Sequence, residues 1–278
     1  QFLGFELHDN YDVLIRRSTL DRFKNKVLKV KRHANKYLHP ITDVIRNCNR
    51  AIIINNGEKI YDGYVKGGVV KYKKIIGDLF TNMRYQGAGS SLINPYKLVT
   101  PKEAFDKHNI DYEFRRGYDA NSLELSMDLA NEALDIVGES EIVLFFGGLS
   151  ENAESEGFDR TNMKLPVNQE YLLNELVKRN KKIVFIFYGG SPVEIPNYEY
   201  IEAMLAMYLP GQEGGNATYD LLFGNVSPSG RLAETWPLSS LDYPFSAEFT
   251  KSRNDCYKES IFVGYRYFST FNKAVRFP

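Results

Sequence analysis

Two continuous apolar runs constrain the fold more than any other feature of this sequence. Residues 142–146 read IVLFF and residues 183–188 read IVFIFY. A strand that is covered by helices on both faces has no solvent-facing side, and it therefore reads as an unbroken apolar run rather than as an alternating one. The two runs predict neighbouring strands inside a sheet that is buried on both faces.

Helical patterns alternate with these strands. Apolar residues recur at spacings of four and three from Leu123 to Val137, which predicts a helix, and Asn121 with Glu124 resembles a capping pair at its start. Pro166 favours the first turn of a second helix, and a third is predicted over residues 213–223. Further strands are predicted over 69–76 and 111–114. Alternating strands and helices predict an α/β fold, a three-layer sandwich with a mostly parallel, flavodoxin-like sheet.

Composition excludes several classes of partner. Of 278 residues 43% are hydrophobic, and 35 basic residues balance 35 acidic ones, so that the formal net charge is zero. A zero net charge argues against nucleic acid or an anionic membrane as the partner, and no apolar run of about 20 residues indicates a membrane span. Two cysteines, Cys48 and Cys256, are too few for a disulfide framework, and we expect free thiols in a cytoplasmic protein.

The first 45 residues differ in character from the rest. Apolar residues recur at helical spacing between Leu20 and Leu38, with lysines and arginines at the intervening positions. This pattern predicts a helix with a solvated basic face, which Pro40 ends. We interpret residues 1–45 as a helical connector and residues 46–278 as the α/β domain.

Two loops that follow predicted strands carry the residues suited to chemistry. Residues 84–91 read RYQGAGSS, whose glycines permit a close approach of the backbone to a ligand. They form either a structural turn or a binding loop, but they match neither the dinucleotide fingerprint nor the phosphate-binding loop. Residues 147–160 contain four carboxylates without calcium-loop spacing. No two histidines have the spacing of a zinc pair, and we expect neither a metal nor a cofactor. The acidic loop is either a solvated surface or the place of a glycosidase acid.

Six segments in order resemble glycoside hydrolase family 3, the β-glucosidase family, and specifically its C-terminal α/β sandwich domain. They are residues 84–95 (RYQGAGSSLINP), 154–160 (ESEGFDR) with Leu165, Pro166 and Gln169, 210–217 (PGQEGGNA), 222–232 (LFGNVSPSGRL), 235–237 (TWP) and 262–268 (FVGYRYF). The resemblance covers roughly residues 69–278.

The resemblance implies a retaining glycosidase that works through a covalent glycosyl-enzyme. The glutamate immediately before the Gly-x-Asp-Arg motif corresponds to Glu156, which is expected to act as general acid/base; Glu154 is the local alternative. Asp159 and Arg160 match motif positions and are expected to hold the loop by an internal ion pair. The predicted rim of the sugar site consists of Gln86, Gly89, Ser90 and Ser91.

The family's nucleophile is an aspartate on a separate (β/α)8 barrel, and no matching motif exists in this sequence. Trp236 is the only tryptophan, and Pro237 follows it. The resemblance therefore implies a barrel domain as partner, a β-glucoside or xyloside as substrate, and no turnover by this chain alone. The alternatives are a non-catalytic module, either sugar-binding or structural, and a flavodoxin-like nucleotide binder.

Overall fold

A computed structural model describes residues 74–138, 142–179, 181–248, 251 and 256–278 in full, and only the backbone of four short strands before them. Those four strands form two antiparallel pairs, β1 (Phe5–Leu7) with β2 (Val13–Ile15) and β3 (Ile52–Asn55) with β4 (Glu58–Asp62). The helix expected between Leu20 and Leu38, Cys48 and residues 69–73 of one predicted strand lie outside the described residues. The division at residue 45 stays a prediction.

A five-stranded, all-parallel sheet is the centre of the fold. Its strands are β5 (Lys74–Ile76), β6 (Glu113–Arg115), β7 (Ile142–Gly148), β8 (Lys182–Tyr188) and β9 (Ile201–Tyr208). Their spatial order is β6-β5-β7-β8-β9, with parallel pairing throughout. Counted within this sheet, the order is 2-1-3-4-5, which is the flavodoxin-like order. The predicted α/β fold class is confirmed.

Helices cover the sheet in two pairs. They are α1 (Pro101–Lys107), α2 (Met127–Asp135), α3 (Val167–Lys178), α4 (Gly214–Leu222) and the short α5 (Tyr265–Thr270). α1 packs against α4 and α2 against α3. The order of strands reverses at β5, and right-handed crossovers therefore place α1 on one face of the sheet and α2 and α3 on the other. β7 and β8 are consequently buried except at their first residues, as their apolar runs predict.

The structure corrects the start of α2. Ser126, not Asn121, caps this helix, because its hydroxyl accepts from Leu129 N at 3.5 Å. Residues 119–124 instead form a loop that the buried Asn168 holds by donating to the carbonyls of Asp119 and Ser122. Leu123 and Met127, two members of the predicted apolar stripe, are exposed as a result.

The helix α1 and the strand β9 are among the elements that the sequence analysis does not predict. The helix α1 begins with a capping box between Thr100 and Glu103 and has Pro101 in its first turn, which are ordinary start signals. The strand β9 reads IEAMLAMY, a composition of helix formers, yet it pairs along the edge of β8. Backbone pairing with a buried neighbour here overrides the local propensity.

Aromatic side chains fill the core beside the sheet. Phe80, Phe105 and Phe146 pack with ring centroids 4.9–6.4 Å apart. Trp236 is completely buried and packs against Phe187 of β8. It belongs to the short strand β10 (Trp236–Pro237), which pairs with β11 (Val275–Phe277). The segment that follows α4 is thereby attached to the sandwich.

Candidate functional site

The two chemically unusual loops lie side by side over the carboxyl edge of the sheet. Residues 84–91 follow β5 and residues 149–160 follow β7, and these two strands are neighbours in the sheet. The strand order reverses between them, and in open α/β sheets this switch point is where ligands bind. The tertiary structure thus brings together residues that are 65–70 positions apart in the chain.

Glu156 stands exposed at this edge and is held by Ser90. The backbone N–H of Ser90 donates to Glu156 Oε2 at 2.7 Å, and its hydroxyl donates to the same oxygen at 2.6 Å. These hydrogen bonds, first that of the hydroxyl and then that of the backbone, lower the pKa of Glu156, because they stabilise the charged form. In this chain Glu156 is an accessible and ionised carboxylate.

Glu154, two residues earlier, occupies a different environment. Its Oε2 accepts from Gly190 N at 2.7 Å and lies 3.6 Å from Arg84 Nη1, while its Oε1 accepts from the hydroxyl of Ser191. Its side chain is 17% exposed. Both of its oxygens are therefore engaged by groups from the loops after β5 and β8, and Glu154 ties these loops together.

Arg84 is the buried centre of the same network. It donates to the carbonyls of Gln86, Leu149 and Glu154 at 3.3, 3.0 and 2.9 Å, and its side chain is 5% exposed. Burial lowers the pKa of its guanidinium, against the opposing effect of the Glu154 carboxylate. Arg84 thus fixes the loop after β5 to the loop after β7.

The remaining predicted rim residues serve the loop itself. Gln86 accepts from Ile93 N at 2.8 Å and donates to Ile93 O at 3.2 Å and to the hydroxyl of Tyr85 at 2.8 Å. Ser91 donates to Ala88 O at 2.9 Å. Among the predicted rim residues, Ser90 and Gly89 are the two that the structure places against Glu156.

Asp159 and Arg160 do not form the expected ion pair. Arg160 donates instead to the hydroxyl of Ser191 and to the carbonyls of Pro192 and Lys164, at 2.9, 2.9 and 3.3 Å, and Asp159 is exposed. Two of the partners of Arg160 belong to the loop after β8 and the third to its own loop, which the spacing of the motif alone does not reveal. Arg160 still fastens the loop, but by a different contact.

Gln169, one of the residues that carry the family resemblance, holds the end of β7 by two hydrogen bonds to Gly148. Its amide accepts from Gly148 N and donates to Gly148 O, both at 2.8 Å. It is 2% exposed, so that these bonds close the carboxyl end of β7 where the strand gives way to the acidic loop. A buried amide that pairs with one residue's backbone twice leaves no signal in a single sequence.

Glu234 is a second residue that the sequence did not single out. Desolvation, and then the charge of Glu154, raise the pKa of its carboxyl. It precedes the buried Thr235 and Trp236, and so the segment after α4 also contributes a carboxylate near the network of Glu154.

A cavity of about 180 Å³ lies between the loops at the switch point. Polar residues from three loops line it, among them Asn82, Arg84, Gln86, Asn121, Ser150 and Asn152. Neither Glu154 nor Glu156 lines this cavity, and Glu156 is exposed.

In the described part of the chain, no three His, Cys, Asp or Glu side chains are grouped to hold a metal ion. The helices described there include none with the length and apolar character needed to cross a bilayer.

A retaining glycosidase needs a second carboxyl group about 5–5.5 Å from the first. The only other carboxylate of residues 154–156, that of Glu154, is already engaged by Arg84 and the Gly190–Ser191 turn.

Comparison with known sequences places most of the chain in one family. Residues 70–265 match the Glycosyl hydrolase family 3 C-terminal domain. The chain is 39% identical over 210 residues to a thermostable β-glucosidase B of Acetivibrio thermocellus, covering 73% of this chain and 28% of that protein. It is 36% identical over 206 residues to an exo-α-(1→6)-L-arabinopyranosidase of Bifidobacterium breve, covering 73% and 27%. The chain thus spans little more than a quarter of these relatives.

Solved structures agree with the fold. A family 3 β-glucosidase of Bifidobacterium adolescentis superposes with a TM-score of 0.69 at 32% identity, covering 95% of this chain and 40% of that one. A β-glucosidase of Kluyveromyces marxianus superposes with a TM-score of 0.66 at 20% identity, covering 77% and 44%, a likeness of fold alone.

Proposed function

This chain belongs to glycoside hydrolase family 3, of which it carries the C-terminal domain, and we propose that it supplies the general acid/base of a retaining β-glycosidase. The residue is Glu156. The observation that carries this proposal is the placement of Glu156, exposed at the switch point with one carboxylate oxygen anchored by Ser90. An exposed, oriented carboxyl group is what proton transfer to and from a bound substrate requires.

The contrast with Glu154 supports Glu156 over its neighbour. Glu154 accepts hydrogen bonds at both oxygens and lies beside the buried Arg84. A carboxylate in that position has both oxygens engaged and therefore has no free oxygen to offer a leaving group. The first glutamate of the ESEGFDR segment therefore holds the loop, and the second performs the chemistry.

The missing half of the site belongs to another domain, a (β/α)8 barrel that supplies the nucleophile. The relatives are several times longer than the chain, which leaves room for such a domain. Leu92, Ile93 and Phe158 are 54%, 63% and 49% exposed and belong to the same two loops as Ser90 and Glu156. Grouped apolar exposure of this kind is typical of a surface that another domain covers.

Docking of the barrel changes the protonation of Glu156. Removal of water and the approach of the nucleophile carboxylate both disfavour the charged form, and both raise the pKa of a carboxyl group. Glu156 is then protonated when substrate binds and donates its proton to the leaving glycosidic oxygen. After the leaving group departs, the Glu156 carboxylate takes a proton from the water that attacks the glycosyl-enzyme.

The substrate that we propose is a β-linked glucoside or xyloside, and no cofactor takes part. β-Glucosidase is the activity named for several relatives, which supports the glucoside. An arabinopyranosidase is among the relatives of comparable identity. The glycone is therefore determined by comparing the hydrolysis of pyranosides of glucose, xylose and arabinose.

The test is hydrolysis of p-nitrophenyl β-glucoside by the enzyme in which this chain is joined to a family 3 barrel. We expect Glu156→Ala to lower kcat by roughly 10²–10⁴-fold, and added azide to restore part of it with a β-glycosyl azide product, because the small anion replaces activated water. Ser229→Ala, at an exposed loop position, is the control. Unchanged activity in Glu156→Ala would assign the chain a non-catalytic role.

A further inference from the structure

Ser90 donates two hydrogen bonds to a single oxygen of Glu156. Both its N–H and its hydroxyl donate to Oε2, at 2.7 and 2.6 Å. Within the described residues, no hydrogen bond is found to the other oxygen, Oε1. The two oxygens of this carboxyl group are therefore inequivalent before any substrate binds.

The backbone turn around Ser90 is built to make this contact. Residues 89–91 form one turn of 3₁₀ helix, closed by Leu92 N donating to Gly89 O at 3.3 Å and by Ser91 Oγ donating to Ala88 O at 2.9 Å. Gly89 has a φ of +70°, and a Cβ atom there would lie 2.6 Å from Glu156 Oε2. Only glycine combines this backbone conformation with room for the carboxylate.

We infer that Ser90 is the positioning residue of Glu156: by donating twice to Oε2, it reserves that oxygen as an acceptor and directs the catalytic proton to Oε1. This inference rests on the proposed function for its catalytic meaning, although the contact itself does not depend on it. Gly89 and Ser90 thereby gain a role other than the sugar-rim role that the sequence suggested.

The chemistry follows from the inventory of donors and acceptors. A protonated carboxyl group has one O–H donor, and its carbonyl oxygen is the better acceptor. Two donors directed at Oε2 make Oε2 the carbonyl oxygen, so that the O–H forms at Oε1, which accepts no hydrogen bond from the described residues and is left for the leaving oxygen. In the second half of the reaction the same oxygen accepts the proton of the attacking water.

Ser90 also opposes protonation of Glu156, and removal of its hydroxyl should therefore change the pKa of Glu156 in a known direction. Its hydrogen bonds favour the charged form of Glu156 and lower the pKa. Removing the hydroxyl should raise this pKa, and the alkaline limb of kcat/KM, which reports loss of the acid form, should move to higher pH. Ser90→Thr keeps a hydroxyl and should keep the wild-type profile.

The first measurement is made on the chain itself and does not require catalysis. The carboxyl ¹³C resonance of Glu156 is titrated in wild type, Ser90→Ala and Ser90→Thr, with Glu156→Gln to assign the signal and circular dichroism to verify folding. We expect Ser90→Ala to raise the pKa of Glu156 by about half a unit or more, which is a resolvable fraction of a typical protein-induced shift, and Ser90→Thr to leave it near wild type.

The second measurement uses the enzyme joined to its barrel. We expect Ser90→Ala to move the alkaline limb upward by a similar amount and to lower kcat at least tenfold, with most of the loss recovered in Ser90→Thr. Folded variants with an unchanged Glu156 titration and an unchanged limb would overturn the inference. Failure of Glu156→Ala to lose activity would instead overturn the proposed function, while the titration would still test the contact.

Discussion

At the scale of single residues, burial separates Glu156, the expected acid/base, from Glu154, its local alternative. Glu154 and Glu156 are two positions apart in one loop, but the first turns inward to Arg84 and the Gly190–Ser191 turn and the second turns outward to Ser90. The inward residue meets a buried guanidinium that needs a counter-charge. Among the described residues, the outward one meets only the two donors of Ser90, which leaves it free for chemistry.

Glu154→Ala should therefore destabilise the fold. It removes the hydrogen bonds to Gly190 N and Ser191 Oγ and leaves the buried Arg84 without its nearest carboxylate. Hydrogen bonds to charged groups contribute roughly 1.5–3 kcal/mol each, and we expect a loss of about 2–3 kcal/mol in the free energy of unfolding, measured by urea denaturation. Activity lost by this variant in the joined enzyme should not return with azide.

Asp159→Ala is the matched control for that experiment, since Asp159 is an exposed carboxylate of the same loop and is not among the charges that act on Arg84. Its effect on the free energy of unfolding should stay within about 0.5 kcal/mol, as is usual for surface positions. Equal effects of the two substitutions would contradict the anchoring role of Glu154.

At the scale of elements, the position of the acidic loop depends on how the end of β7 is held. The strand finishes at Gly148, whose N–H and carbonyl both pair with the amide of Gln169 in the first turns of α3. The next residue, Leu149, provides a carbonyl to Arg84. A helix and a strand thus fix the starting point of the loop that carries Glu156.

Gln169→Leu keeps the size and removes both hydrogen bonds. Two backbone groups of Gly148 are then left buried without partners, at about 1–3 kcal/mol for each unsatisfied group. We expect a loss of about 2–3 kcal/mol, read as a lower urea midpoint with an unchanged slope. Gln212→Leu, at an exposed position, is the control and should leave the urea midpoint almost unchanged. If Gln169→Leu had the same midpoint as this control, water or a rearranged loop would have to satisfy the backbone groups of Gly148.

At the scale of the whole molecule, the domain places the loops after β5 and β7 over one edge of a flavodoxin-like sheet. The reversal of strand order at β5 opens the crevice over which the loops after β5 and β7 meet. Family 3 relatives contain much more chain than this domain, and exposed apolar side chains lie in the same loops as Glu156. The proposed division of labour places acid/base and nucleophile on separate domains.

The chain alone should therefore show no turnover of p-nitrophenyl β-glucoside above that of its own Glu156→Ala variant. One carboxyl group without a nucleophile cannot form the glycosyl-enzyme. Joining the barrel should restore hydrolysis and raise the pKa of Glu156, because docking desolvates the carboxyl and brings a second carboxylate near. Robust hydrolysis by the purified 278-residue chain would sink the proposed two-domain site.

The sequence by itself determined the fold class and the family, because long apolar runs, helix periodicity and ordered motifs are local properties of the chain. It also pointed to the acidic loop as the place that we propose for the chemistry. Only the tertiary structure decided which glutamate faces outward, that Ser90 rather than Gln86 touches it, that Arg160 contacts Ser191 and backbone carbonyls instead of Asp159, and that the helix-forming segment 201–208 is an edge strand. Each of these outcomes depends on groups distant in sequence that meet only where parallel strands end at one edge of the sheet.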